Sequence, residues 1–247
     1  HLGAMPTAVR QVMELAPFEP GDVLALNDPF RGGTHLPDLT TVSPVFVEGE
    51  LIGFVATRAH HADIGGMAPG SMPVARELLQ EGLVIPPIRL VDGGVRNESV
   101  FALIVRNSRA PEERTGDLRA QMAATSVGVR RLEAAAGRFG VAGLLARFGA
   151  LLEHGDRAVR AVISEIPDGR YEFEDRLEVG PEGLAIRLAL SIEGDEAHFD
   201  FTGTDAETEL ASLNAVAAVT RSACYYTIRC LAGADAPANE GCYRAIR

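Results

Sequence analysis

Three patterns in the 247-residue sequence predict an α+β fold. Two strand-like runs meet at a two-residue turn, a long middle stretch keeps the 3.6-residue period of amphipathic helices, and a later stretch alternates with period two. The expected architecture is a mixed sheet with a β-hairpin that carries a candidate metal loop, an antiparallel helix pair and a β-meander. The organisation reads as residues 1–115 with the candidate metal site, a helical hairpin over 116–166, and a meander and helix over 167–247 that continue beyond the last residue.

Within residues 7–15, Val9, Val12 and Met13 stand at helical spacing, and Pro17 and Pro20 end that helix. The apolar run Val23 to Leu26 reads as a strand leading into Asn27-Asp28-Pro29 and Gly32-Gly33. Residues 40–59 form a hairpin folded at Glu48-Gly49, with Pro44 pushing its strand toward an edge or a bulge. A Gly/Pro/Met loop covers 64–73, where the glycines at 65, 66 and 70 read as hinges and the Met67 and Met72 pair as packing. Apolar segments at 83–91 and 100–105 follow, with turn signals between them. Thr115 is the expected N-cap of a helix that carries Leu118, Met122, Thr125, Val129, Leu132 and Ala136 on one face and stops at Gly140. A second helix over 141–166 repeats the pattern through Leu144, Phe148, Leu152, Val159 and Val162, and the short connection predicts antiparallel packing. Beyond Pro167-Asp168-Gly169, Tyr171 and Phe173 alternate with Glu172 and Glu174. Strands near 184–192 and 197–202 flank Glu193-Gly194-Asp195, and a helix runs from Ala215 to Leu231.

The composition narrows the function. A net charge of −11, spread along the chain, argues against a nucleic-acid or membrane-surface partner and favours a small-molecule substrate or a protein partner. Three cysteines without CxxC spacing suggest neither a disulfide framework nor a thiolate zinc site, and fit a reducing cytoplasm. No window approaches 18 uninterrupted apolar residues, and HLGAMPTAVR lacks the regions of a signal peptide, so the expectation is a soluble cytoplasmic protein. All 23 basic residues are arginine. A P-loop lysine, a kinase-type phosphate lysine and a Schiff-base lysine are thereby excluded, and any ATP the reaction needs is expected on another subunit. With no opening Met and a stop just after the polar turn at 237–241, the chain reads as incomplete at both ends.

Of the six histidines, His1 is terminal, while His154 and His198 lack a neighbouring carboxylate spacing that suggests a ligand set, so all three rank low. Gly32-Gly33-Thr34-His35-Leu36-Pro37-Asp38 and Arg58-Ala59-His60-His61-Ala62-Asp63 remain. With Val47 facing Glu50 across the turn, the register places His60 opposite Pro37, beside Asp38 and within reach of His35; a bulge at Pro44 would shift this by one residue. Two imidazoles and a carboxylate suit Zn, Fe or Mn, and Pro37 stiffens the loop that holds them. Adjacent strand residues face opposite sides, which favours His60 as the ligand and leaves His61 as a supporting or substrate-facing group. His61 or Asp63 is the candidate proton carrier, and Asp63 is also a reserve carboxylate. Taken singly, each histidine reads as an ordinary hydrogen-bonding loop residue; HxxD joined to HHxD by one hairpin favours a metal. Arg114, Asp117 and Gln121 are candidate substrate-binding residues, although a helix N-terminal turn with a dipole-favoured Asp is an equally good reading. Asn214 and Asn239-Glu240-Gly241 have ordinary loop readings.

The stretches HLGAM (1–5), GDVLALNDPFRGGTHLPDLT (21–40), RAHHADIGGMAPGSMP (58–73), EGLVIPP (81–87), RTGDLRAQ (114–121), PDGRYEFED (167–175), DFTGTD (200–205) and NEGCYR (239–244) resemble the hydantoinase B/oxoprolinase family, collinearly and over almost the whole chain. The resemblance implies a subunit, or a C-terminal half, that works with an ATP-binding A-type partner on cyclic amides such as 5-oxoproline or hydantoins; ketone carboxylases of the acetone and acetophenone type are also similar. It implies His35, Asp38 and His60 as ligands of a divalent metal (Zn, Mn or Fe), with ATP supplied through the partner and a further carboxylate ligand from a segment ahead of HLGAM. The implied chemistry is phosphorylation of a lactam or imide oxygen by the partner, then polarisation of the activated carbon, or of a water, at the metal. Rival readings are carboxylation of a phosphorylated enol, a non-haem iron oxygenase whose usual spacing is HxD, and a catalytically silent scaffold. Residues 208–212 depart from the Gly-Pro element that follows DFTGTD in the family.

Overall fold

A computed structural model describes residues 1–71, 73–179, 181, 183–209, 213–233 and 236–247. Two compact units make up the chain: His1 with Gly3–Leu145, and Leu2 with Ala146–Arg247.

The first unit contains α1 (Met5–Met13), β1 (Val23–Leu26), β2 (Asp38–Val47), β3 (Glu50–His60), α2 (Leu78–Glu81), β4 (Ile88–Asp92), β5 (Val95–Arg96), α3 (Glu98–Arg106) and α4 (Pro111–Phe139). Its sheet has the order β3-β2-β1-β4-β5, and every pairing is antiparallel. The expected mixed sheet is corrected accordingly. Tight turns join β2 to β3 and β4 to β5, and a two-residue turn can only reverse a strand. The apolar run of β1 is buried on both faces. Leu24 and Leu26 pack with Ala8 and Val12 of α1, while Ala25 joins Leu39, Leu90, Ile104 and Leu118 on the other side.

Glu48 (φ 52°) and Gly49 (φ 85°) both adopt the left-handed conformation, the turn whose twist matches the strands it joins. Val47 pairs with Glu50 as expected, but Val45 pairs with Gly53 and Phe46 with Leu51, so Ile52 is an extra residue on β3. Pro44 keeps its register opposite Phe54. Pairing of β1 with β2 runs only to Val42, so Pro44 sits past it and its missing N–H costs no bond on that side.

The apolar segment near 100–105 is helical, because the Asn97 side chain caps α3 by accepting from Val100 N at 3.2 Å. Helix α4 starts at Pro111 rather than at a Thr115 cap; proline suits the first helical turn, and Thr115 Oγ1 donates inside the helix to Pro111 O at 2.9 Å. Its buried residues Leu118, Gln121 and Thr125 serve the side that packs on β2 and β3. At Gly140 (φ 70°) α4 ends, and α5 (Val141–Ile163) follows directly. The buried stripe of α4 is spent on the sheet. Among the described residues no single helix is long and apolar enough to cross a membrane.

In the second unit, β6 (Gly169–Leu177), β7 (Leu184–Glu193) and β8 (Glu196–Asp200) form the expected meander, turning at Gly194-Asp195. The core of this unit includes Val159, Ile163, Ile192, Ala197 and Ile228, the last from α6 (Ala217–Ala232). Asn214 closes its loop by exchanging two 2.9 Å hydrogen bonds with the Thr208 backbone. Residues 210–212 of the departing segment lie outside the described residues, as does Met72; Met67 is exposed, contrary to the packing expected of it.

Candidate metal centre

The site begins with a buried amide. Asn27 Nδ2 donates to Leu36 O and Leu83 O, both at 2.8 Å, and Asn27 Oδ1 accepts from Ile85 N at 2.6 Å. One side chain thereby holds the His35 loop to two distant carbonyl and amide groups. Gly33 passes so close that an added Cβ would stand 2.0 Å from Asn27 O. The turn closes when Asp38 N donates to His35 O at 2.9 Å, which brings His35 and Asp38 to one side.

Because of the extra residue at Ile52, His60 pairs directly with Asp38 rather than Pro37. Three donor atoms converge: His35 Nε2 lies 2.8 Å from His60 Nδ1, and Asp38 Oδ1 lies 3.1 Å from His60 Nδ1 and 3.3 Å from His35 Nε2. Two ligands at about 2.1 Å from a common ion stand roughly 3 Å apart, so these separations fit a shared divalent cation. Asp38 Oδ2 accepts from Thr34 Oγ1 at 2.8 Å, which orients the carboxylate. Burial holds the His35 imidazolium down, with His60 and Arg58 adding to the effect and Asp38 opposing it, and the neutral ring this favours is the form that ligates metals. Arg58 is fixed behind the cluster by Thr40 Oγ1 at 2.7 Å and Gly32 O at 3.1 Å, and burial lowers its own pKa.

His1 also belongs here. Its Nδ1 lies 3.7 Å from Asp38 Oδ2, its ring meets His35 edge-on at 5.2 Å, and donor atoms of His1, His35 and Asp38 all fall within 4.8 Å of one another. The structure thus brings His1, ranked low on spacing alone, beside the cluster. Burial of Ala4, Ala8 and Val12 anchors the segment that delivers it, a tertiary effect absent from local spacing; the one available signal was its place at the head of HLGAM.

His61 faces away from the cluster and is buried. Its Nδ1 lies 3.1 Å from Arg114 Nη1 and its Nε2 lies 3.1 Å from Gln121 Oε1. Burial lowers its pKa, Gln121 partly offsets that, and Arg114 adds to it. Arg114 is buried beneath the surface, held at 2.8 Å to Asp117 Oδ2. Asp63 is spent on the connection before α4: it accepts from Gly65 N at 3.0 Å and from Arg109 N, Arg109 Nη1 and Ser108 Oγ. Burial pushes the Asp63 carboxyl up, but the Arg109 and Gly65 amides, the Arg109 charge and Ser108 outweigh it and hold it below the usual range. The structure therefore joins His35, Asp38 and His60, and sets His61, Arg114 and Gln121 in a buried polar group behind the hairpin. An open cleft of about 350 Å³ runs beside them, lined by Thr57, Arg58, His60, His61, Asp117 and Gln121.

The family model described as hydantoinase B/oxoprolinase matches residues 1–247. The chain is 36% identical over 252 residues to the caprolactamase subunit beta of Pseudomonas jessenii, covering 100% of this chain and 43% of that protein. It is 36% identical over 266 residues to the 5-oxoprolinase of Saccharomyces cerevisiae, covering 100% of this chain and 20% of that one. The crystal structure of the ATP-dependent caprolactamase from Pseudomonas jessenii superposes with a TM-score of 0.92 at 36% identity, over 100% of this chain and 43% of that chain. A nucleotide-free acetone carboxylase structure matches with a TM-score of 0.85 at 20% identity over 100% of this chain and 35% of that one, a likeness of fold alone. The chain thus spans less than half the length of these relatives.

Proposed function

The chain belongs to the hydantoinase B/oxoprolinase family, and on that premise we propose that it is the metal-holding portion of a cyclic amide hydrolase that acts with an ATP-binding A-type partner subunit. The observation that carries this reading is the convergence of His35, Asp38 and His60 at a cleft that His60 itself lines.

The donor set fits the ion: two imidazole nitrogens and one carboxylate oxygen, oriented by Thr34, suit Zn, Mn or Fe. When bound, such a cation supplies Lewis acidity toward an amide carbonyl or a water. The residues of the chain do the rest. Asp117 lines the cleft with an exposed carboxylate steadied by Arg114, and offers an acceptor for the N–H of a lactam or imide. Gln121 and His61 close the inner wall, and Arg58 sets a positive charge next to Asp38. Both ring nitrogens of His61 are engaged and Asp63 is bound to Arg109, so their contribution is to hold shape, and proton exchange with substrate falls to Asp117 at the cleft.

An unstrained lactam opens slowly because amide resonance must be lost, which gives coupling to ATP a chemical purpose. This chain has no lysine for a nucleotide phosphate, which supports placing ATP on a partner. The names of the similar proteins, an ATP-dependent caprolactamase with a beta subunit and a 5-oxoprolinase, support cyclic amides as the substrate class. The test is elemental analysis of the chain and of its His35→Ala and His60→Ala variants, followed by ring opening of lactams with ATP and the partner subunit. Near-stoichiometric metal that both variants lose is expected; a metal-free wild type, or metal retained in both variants, overturns the reading.

A further inference from the structure

Resting on the metal site proposed above, we infer that Gln121 is a positioning residue that, together with His61 and Arg114, locks the metal end of the β2–β3 hairpin and thereby sets its affinity for a divalent cation. The geometry is that of a polar clamp. Gln121 Nε2 donates to Leu39 O at 2.7 Å and to Thr57 O at 3.3 Å, one carbonyl on each strand. Leu39 adjoins Asp38, and its partner across the ladder, Ala59, adjoins His60. A single amide from α4 therefore holds the two backbones from which both cross-strand donors project.

The remaining bonds give the clamp a fixed polarity. Arg114 can only donate, so His61 Nδ1 must accept, and the proton of a neutral His61 then lies on Nε2 and points to Gln121 Oε1. Rotating the Gln121 amide by half a turn would set N–H against N–H and carbonyl against carbonyl. The chain Arg114 to His61 to Gln121 to the strand carbonyls thus has one self-consistent arrangement, and it forces His61 inward. Strand alternation then holds His60 outward, opposite Asp38. Leu118 and Thr125, both fully buried on the same helix, keep the Gln121 backbone in place.

Among the described residues, Arg114 Nε is buried without a hydrogen-bond partner, an arrangement that folded proteins seldom keep. Preorganised ligands require this kind of support, because metal sites tolerate only small displacements of their donors.

The experiment compares divalent-metal affinity, by chelator competition with Mn and Zn, in the wild type, Gln121→Glu and Ile228→Ala. Glu keeps the size of Gln and its acceptor toward His61, but loses both donors to Leu39 O and Thr57 O. Ile228 is buried in the core of the second unit and controls for lost stability alone. Expected is a fall in affinity of roughly 10- to 100-fold for Gln121→Glu and none for Ile228→Ala at a similar loss in melting temperature. Wild-type binding with unchanged affinity in Gln121→Glu overturns the clamp alone; a wild type that binds no metal overturns the metal reading and the clamp with it. If Gln121→Glu fails to fold, long-range nitrogen NMR of wild-type His61 decides: the Nε2–H tautomer supports the clamp, and an Nδ1–H tautomer overturns it.

Discussion

The β2–β3 and β7–β8 hairpins are built alike, each reversing over a two-residue turn, and each sets a histidine near a carboxylate. In the first, His60 lies 3.1 Å from Asp38 across the ladder, Asp38 is buried, and His35 and His1 close in from beside it. In the second, His198 lies 3.7 Å from Glu196 on the same strand, and both are substantially open to solvent. The period of a strand will bring such residues together almost anywhere. What differs is the support: the first pair has Thr34 on its carboxylate, Asn27 holding its loop and Gln121 tying both strands. A pair becomes a site when the groups around it remove its freedom.

That contrast can be broken or sharpened by measurement. The largest effect is expected from Asp38→Ala, which removes the oxygen shared by both imidazoles: metal affinity in a chelator titration should fall by at least about 100-fold, whereas Glu196→Ala should leave metal content unchanged. Asn27→Ala comes next. It strands two carbonyls and an amide in a buried loop, and urea unfolding should show a loss of about 3 kcal/mol, accompanied by weaker metal binding.

Arg109→Met should act more weakly and only through the fold. The Asp63 carboxyl titrates lower in the folded chain than in the unfolded one, so between the two values the unfolded chain holds more protons and stability rises with pH. The contribution is complete above about pH 4 and is lost on further acidification. Because Arg109 is half exposed, its removal should cost no more than about 1 kcal/mol at neutral pH, flatten the acid limb of a stability–pH curve, and spare metal binding. Smallest of all is His198→Ala, for which metal content should match the wild type; a loss there would erase the distinction between the two hairpins.

Much of this was legible from residue order, and the exceptions share a cause. The type of turn at Glu48-Gly49, the strand at Val23–Leu26, the meander and the α6 helix all follow from short-range period and turn chemistry. The segment at 100–105 did not declare its type, because a short apolar run suits a buried strand and a buried helix equally; the Asn97 cap decided it. The Thr115 cap was misplaced because Pro111 starts the helix earlier. Among site residues, His35, Asp38 and His60 stood out through their spacing on one hairpin. His1 did not, since its partner Asp38 is 37 positions away.

By itself, then, the sequence determined the local elements, the family and the three ligand candidates, because these depend on periodicity, turn geometry and residue chemistry within a few positions. Only the tertiary structure decided that the sheet is antiparallel, that Ile52 takes up the extra residue and puts His60 opposite Asp38, and that α4 lies on the hairpin. Each of these depends on which surfaces find each other across long stretches of chain. Burial is shared between partners, and no single segment encodes the choice.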